Sequence, residues 1–67
     1  MNVIIYWETG GYADVYNVDE VKVPTANQPY LRTFKKFKGQ EFETARFKDS
    51  EISGWQIFLT AEDVKDD

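Results

Sequence analysis

Sixty-seven residues make one domain at most, and a chain of this size buries only about 60% of the surface its unfolded form exposes. Cysteine and histidine are both absent, which rules out disulfide staples and any thiolate or imidazole metal site. A net charge of −4 with 42% hydrophobic residues describes an acidic domain with enough apolar surface to fold.

The residue types favour strands. Six Val, four Ile, five Thr and eleven aromatic residues stand against two Leu and four Ala. β-Branched and aromatic side chains suit a pleated sheet, whereas helices favour Leu and Ala. The expected class is therefore mainly β, a small antiparallel meander or partly open barrel of four to five strands, with one short helix at 29–38 as an alternative.

Residues 3–7 (VIIYW) are apolar at every position, so both faces of this first strand are expected to be covered. Glu8-Thr9-Gly10-Gly11 is a turn, and residues 12–18 return as the second arm of a hairpin. Alternation sets Ala13 and Val15 on one face and Tyr12, Tyr16 and Val18 on the other, with Asp14 on the tyrosine face. That carboxylate marks the face as partly wet. Val21-Lys22-Val23 alternates until Pro24, which ends a strand or occupies an edge, and residues 25–29 form a loop.

Residues 30–38 (YLRTFKKFK) fit two elements. Read as a helix, they have Pro29 in the first turn, Gly39 just past the end and Tyr30, Leu31, Phe34 and Phe37 on one face. Read as a strand, they pair back on residues 41–48 through a four-residue loop at 38–41. That register places Phe37 opposite Phe42 and Lys36 opposite Glu43. The composition favours the strand. Residues 41–48 form the next strand, with a bulge because Phe42 does not share a parity with Ala45 and Phe47.

The apolar centre of the second half is the stretch 40–60. After a corner at residues 49–53, Ile52, Trp55, Ile57, Phe58 and Leu59 crowd into eight positions, and residues 55–60 are the closing strand. Trp55 is expected to bury against the first hairpin. A last turn is expected at 61–64, and 61–67 forms an acidic tail frayed at its end. One internal echo stands out: residues 16–21 (YNVDEV) and 47–52 (FKDSEI) share the order aromatic, two variable positions, polar, Glu, β-branched.

Little in the chain supports catalysis. No His is present, Ser50 and Ser53 have no base to activate them, and the acids lie mostly in turns where water keeps them ordinary. No phosphate-binding glycine motif or calcium loop is present, so no cofactor or metal is expected and the chain is read as not an enzyme. The apolar runs are too short to cross a membrane as a helix, and the first residues lack a basic segment before their apolar run. Cytoplasmic is the resulting expectation, with no membrane partner and no small-molecule substrate.

Charge is segregated along the chain. Residues 1–31 carry −3, residues 32–48 carry +4 and residues 49–67 carry −5. Two classes of function follow. The first is a protein-interaction module that self-associates or binds a basic partner protein, its acidic ends (Asp49, Glu51 and the C-terminal acids) steering the encounter. The second is single-stranded nucleic-acid binding through the basic-aromatic strip 32–38, where Arg32, Lys35, Lys36 and Lys38 interleave with Phe34 and Phe37. The net negative charge weighs against the second. Tyr12 and Tyr16 supply a further candidate surface.

Overall fold

The computed structural model describes residues 1–64. Among them are six strands, β1 (Asn2–Trp7), β2 (Tyr12–Val15), β3 (Glu20–Lys22), β4 (Tyr30–Phe37), β5 (Gln40–Lys48) and β6 (Ile52–Phe58). One 3-10 turn at Asp49–Glu51 precedes β6. The strands form two antiparallel sheets, ordered β2-β1-β6 and β3-β4-β5, and neither closes into a barrel. The mainly β antiparallel class agrees with the composition. The count of six exceeds the expected four to five because the three-residue β3 is a separate strand, held on β4 through Val21↔Thr33.

The first hairpin forms as the glycine pair predicts. Gly10 and Gly11 sit at φ +99° and +85°, in the left-handed region that side chains disfavour, and β1 pairs with β2 from Tyr6↔Tyr12 to Val3↔Val15. Residues 29–38 are not helical. Tyr30–Phe37 is the central strand of the second sheet, bonded on both sides, and Leu31 and Thr33 alternate into the core. Cross-strand pairing with two neighbours outweighs the helix-like boundary signals of Pro29 and Gly39.

The loop after β4 is also shorter than the sequence implied. Lys38 and Gly39 alone make the turn, at φ +51° and +76°, two successive positive values that match the twist of a two-residue hairpin. Phe37 therefore faces Gln40, and Lys36 faces Glu41 instead of Glu43. The expected bulge in β5 is present, since Thr33 faces Ala45 while Phe34 faces Glu43 and leaves Thr44 unmatched. Thr44 Oγ1 donates to the Thr33 carbonyl at 3.2 Å and lies 2.9 Å from Thr33 Oγ1. Thr33 is fully buried, and this bulge is what satisfies its hydroxyl.

The sheets bury their facing sides against each other. Val3 and Ile5 from β1, Leu31 from β4, Ile52 from β6 and Val18 from the β2–β3 connection form the core. Met1, Trp7, Val15, Val21, Phe47 and Trp55 pack around it, and Trp7 meets Phe47 with ring centroids 5.7 Å apart. Val18 reaches the core because Asn17, at φ +57°, reverses the alternation of β2. The sequence parity had placed Val18 with the tyrosines.

Two other expectations about the core change. Only one face of β1 is buried, the face carrying Val3 and Ile5, while Ile4 and Tyr6 remain half-exposed. The closing strand begins at Ile52 and ends at Phe58, three residues earlier and two residues earlier than expected, and Ile57, Phe58 and Leu59 are exposed, as is Phe42. Trp55 pairs with Ile5 across the sheet but is only partly buried.

The chain changes sheets twice, and both crossovers are tied at each end. At the first, Val18 N–H donates to the Met1 carbonyl at 2.7 Å and Asp19 N–H to the Phe34 carbonyl at 2.9 Å. At the second, Asp49 N–H donates to the Pro29 carbonyl and Glu8 N–H to the Glu51 carbonyl, each at 3.0 Å. The two echoing segments, 16–21 and 47–52, fall on these crossovers, each ending in the first residues of a new strand.

Replacing Ile5 or Leu31, both fully buried, with Ala should cost about 2–5 kcal/mol. Ile57→Ala, at an exposed position, should cost about 1 kcal/mol or less. Urea denaturation followed by far-ultraviolet circular dichroism measures both, and equal losses at Ile5 and Ile57 would contradict this core.

Candidate functional site

Three surfaces gather the candidate residues. The first is the outer face of the β2-β1-β6 sheet, which nothing in the described chain covers. Register stacks three rows across it: Tyr12 beside Tyr6, Asp14 beside Ile4 and Gln56, and Asn2 beside Phe58. With Tyr16, just past the end of β2, they line an open groove of about 420 Å³. Tyr6 Oη donates to Gln56 Oε1 at 2.7 Å, and Tyr16 Oη donates to Asp14 Oδ2 at 3.3 Å. The negative charge of Asp14, with that hydrogen bond, raises the Tyr16 phenol above its ordinary value. Tyr12 and Tyr16 are 63% and 64% exposed, an unusual amount for rings on a sheet face.

The second surface is the β4–β5 hairpin. Strand alternation splits the basic strip 32–38 between two faces. Arg32, Phe34 and Lys36 point outward, while Lys35 and Phe37 share the side of Leu31 and Thr33. Phe34 is not an open stacking platform, because it is buried beneath Lys22 and Arg32, which lie 4.6 and 5.6 Å from its ring centre. Lys36 is engaged, with its N–H donating to Asp19 at 2.7 Å and its Nζ 3.6 Å from Glu20. Lys38 lies over Phe37 at 5.4 Å.

On the outward face the register aligns three cations, Lys22, Arg32 and Arg46, across the three strands. Lys22 pairs with Glu20 and Glu41, and Arg46 pairs with Glu43 at 3.0 Å. Arg32 makes no ion pair among the described residues, and its buried Nε has no hydrogen-bond partner. The sequence strip contains Arg32 but not Lys22 or Arg46, which only the register brings beside it.

The third surface comprises the acidic segments. Asp49 and Glu51 lie in the exposed 3-10 turn and enter no ion pair among the described residues, so their backbone rather than their charge ties the sheets together. Asp63 fixes the turn that closes the described residues. Its carboxylate accepts from the backbone N–H and hydroxyl of Thr60, at 2.8 and 2.9 Å, and lies 2.8 Å from the Met1 ammonium. Thr60 and Asp63 thus close a turn at 61–64, as expected. The expected fraying of 65–67 lies outside the described residues.

No group of metal-ligating side chains occurs among the described residues, and no helix there is long and apolar enough to cross a membrane. No protein-family model matches the chain, and comparison with curated proteins and with solved structures finds no significant similarity.

The Asp63 clamp gives a prediction in pH. Hydrogen bonds from the Met1 ammonium and from Thr60 depress the Asp63 pKa from 3.8 to about 2. A depressed carboxylate contributes stability that is fully present above its unfolded pKa and lost as pH falls through the folded one. The contribution should therefore persist above 3.8 and fade toward 2. Thermal melts of Asp63→Asn should be lower than the parent's near neutral pH and converge with it at the acid end.

Proposed function

We propose that this chain is a non-catalytic protein-interaction module that self-associates, the β4–β5 arm of one copy meeting the C-terminal segment of another. The observation that carries this reading is the uncovered end of the arm. Phe37 and Phe42 are both exposed, Phe37 by 64%, and Phe37 extends the side of β4 that buries Leu31 and Thr33 nearer the core. Opposite sheets cover that side only over part of its length. The molecule is correspondingly elongated, at 41 × 23 × 16 Å. Its radius of gyration is 12.7 Å, against roughly 11 Å for a compact chain of this length.

The C-terminal segment offers a matching surface. Ile57, Leu59 and Val64 are exposed, Leu59 by 66%, and Glu62 lies between the last two in sequence. The arm carries Lys35 on the same side as Phe37, and Lys38 lies over the Phe37 ring at 5.4 Å. An apolar surface edged by Lys35 and Lys38 thus complements one that carries Glu62, and the charge would set register and encounter rate while the rings supply the affinity.

Burying each phenylalanine supplies about 1.5–3 kcal/mol. Phe37→Ser with Phe42→Ser should therefore convert the species seen by sedimentation velocity to monomer, with little change in melting temperature. Reversing Lys35 and Lys38 to Glu should weaken association and remove its salt sensitivity. A parent that sediments as a monomer at every concentration would reject the reading.

The cation row supports a second reading, binding of single-stranded nucleic acid. Arg32, held between Lys22 and Arg46 without an acid of its own, is suited to a phosphate. Oligonucleotide affinity should then fall by about 0.7 log units per log unit of salt for each phosphate neutralised. Arg32→Glu should abolish it.

A further inference from the structure

We infer that the tyrosine groove on the outer face of the β2-β1-β6 sheet is a binding site for an aliphatic ammonium group, a lysine side chain of a basic partner peptide. Three features of the groove converge on that ligand. Its walls are aromatic: Tyr6 and Tyr12 stand at one end, Tyr16 and Phe58 at the other. Its floor between them is Ile4, which suits an alkyl stem. Its only charged lining residue is Asp14, whose side chain receives a hydrogen bond from Tyr16 and makes no ion pair among the described residues.

The electrostatics follow from those groups. The face of an aromatic ring carries negative charge density that attracts a cation, and several rings around one position add their fields. A carboxylate inside the same ring of aromatics supplies the neutralising charge. Asp14 is placed for this because it sits on β2 between Tyr12 and Tyr16, two residues from each, so all three project to one side of the strand.

A negative ligand is disfavoured by Asp14 and by the chain's net charge of −4. A purely apolar ligand would have to desolvate Asp14 and the Tyr16 hydroxyl without replacing their partners. An ammonium on an alkyl chain meets both demands. Lysine is the ordinary source of that group on a protein surface. The groove is open rather than enclosed, so it admits a side chain carried on a peptide backbone.

This surface is separate from the β4–β5 arm, so the inference does not depend on self-association. The test is nuclear magnetic resonance titration of the intact chain with a short capped peptide holding one central lysine, beside the same peptide with that lysine acetylated. The lysine peptide should shift the ring signals of Tyr6, Tyr12 and Tyr16 to saturation, and the acetylated peptide should not. Asp14→Asn, Tyr12→Ala and Tyr16→Ala should each weaken binding about two- to fivefold, the range of an exposed cation–π contact or ion pair. Because Tyr12 and Tyr16 are mostly exposed, these variants should keep the parent melting temperature. Asp14→Asn, nearly identical in shape, serves even where a ring deletion disturbs the sheet. Equal binding of the two peptides, unchanged affinity in Asp14→Asn, or ring signals that move only with protein concentration would each overturn the inference. The last outcome would instead assign the groove to a second copy of this chain.

Discussion

Two crossovers, each only a few residues long, hold this fold together. A three-stranded sheet with one apolar face must bury that face against another element. Here each sheet is the other's cover, and the chain must pass between them twice to make both. The backbone hydrogen bonds of Val18, Asp19, Asp49 and Glu8 fix where each sheet begins relative to the other. With those ends fixed, Val3 and Ile5 necessarily meet Leu31.

That arrangement leaves consequences at the margins. Six short strands supply just enough inward-facing side chains for one small core, and the core stops before the strands do. The β4–β5 hairpin runs past it at one place, and the residues following Gln56 run past it at another. Aromatic and aliphatic side chains at those overruns remain in contact with water. Small domains without disulfides or metals commonly meet this shortage by association, which covers the surplus without lengthening the chain.

The charges are arranged around the same geometry. On the β3-β4-β5 sheet, acids and bases interleave across strands, so Glu20, Glu41 and Glu43 pair with Lys22, Lys36 and Arg46. Of the six cations in the strip that reads +4 in sequence, Lys36 and Arg46 are paired with acids, while Arg32, Lys35, Lys38 and Lys48 enter no ion pair among the described residues. On the β2-β1-β6 sheet the reverse holds. Asp14 is the single acid among the described residues that line its groove, none of which is a cation, and it sits among rings. The two sheets therefore present chemically opposite outer faces, one cationic and largely satisfied, the other aromatic with an unanswered negative charge.

The strand class, the glycine hairpin and the β5 bulge were legible in the residues because each depends on neighbours a few positions away. Gly10-Gly11 dictates a turn whatever surrounds it, and the broken parity at Phe42, Ala45 and Phe47 requires an extra residue somewhere in that strand. Tyr12, Asp14 and Tyr16 could likewise be placed on one face by counting in twos. The partners of those residues could not. Tyr6, Ile4 and Phe58 join them only through pairing of β1 with strands at both ends of the chain, and Lys22 and Arg46 flank Arg32 only through the register of the second sheet. Burial failed for the same reason. Val18 and Leu59 are similarly apolar, yet one is fully covered and the other is not. Hydrophobicity states what a side chain gains by leaving water, but only the packing of distant strands decides which side chains have somewhere to go.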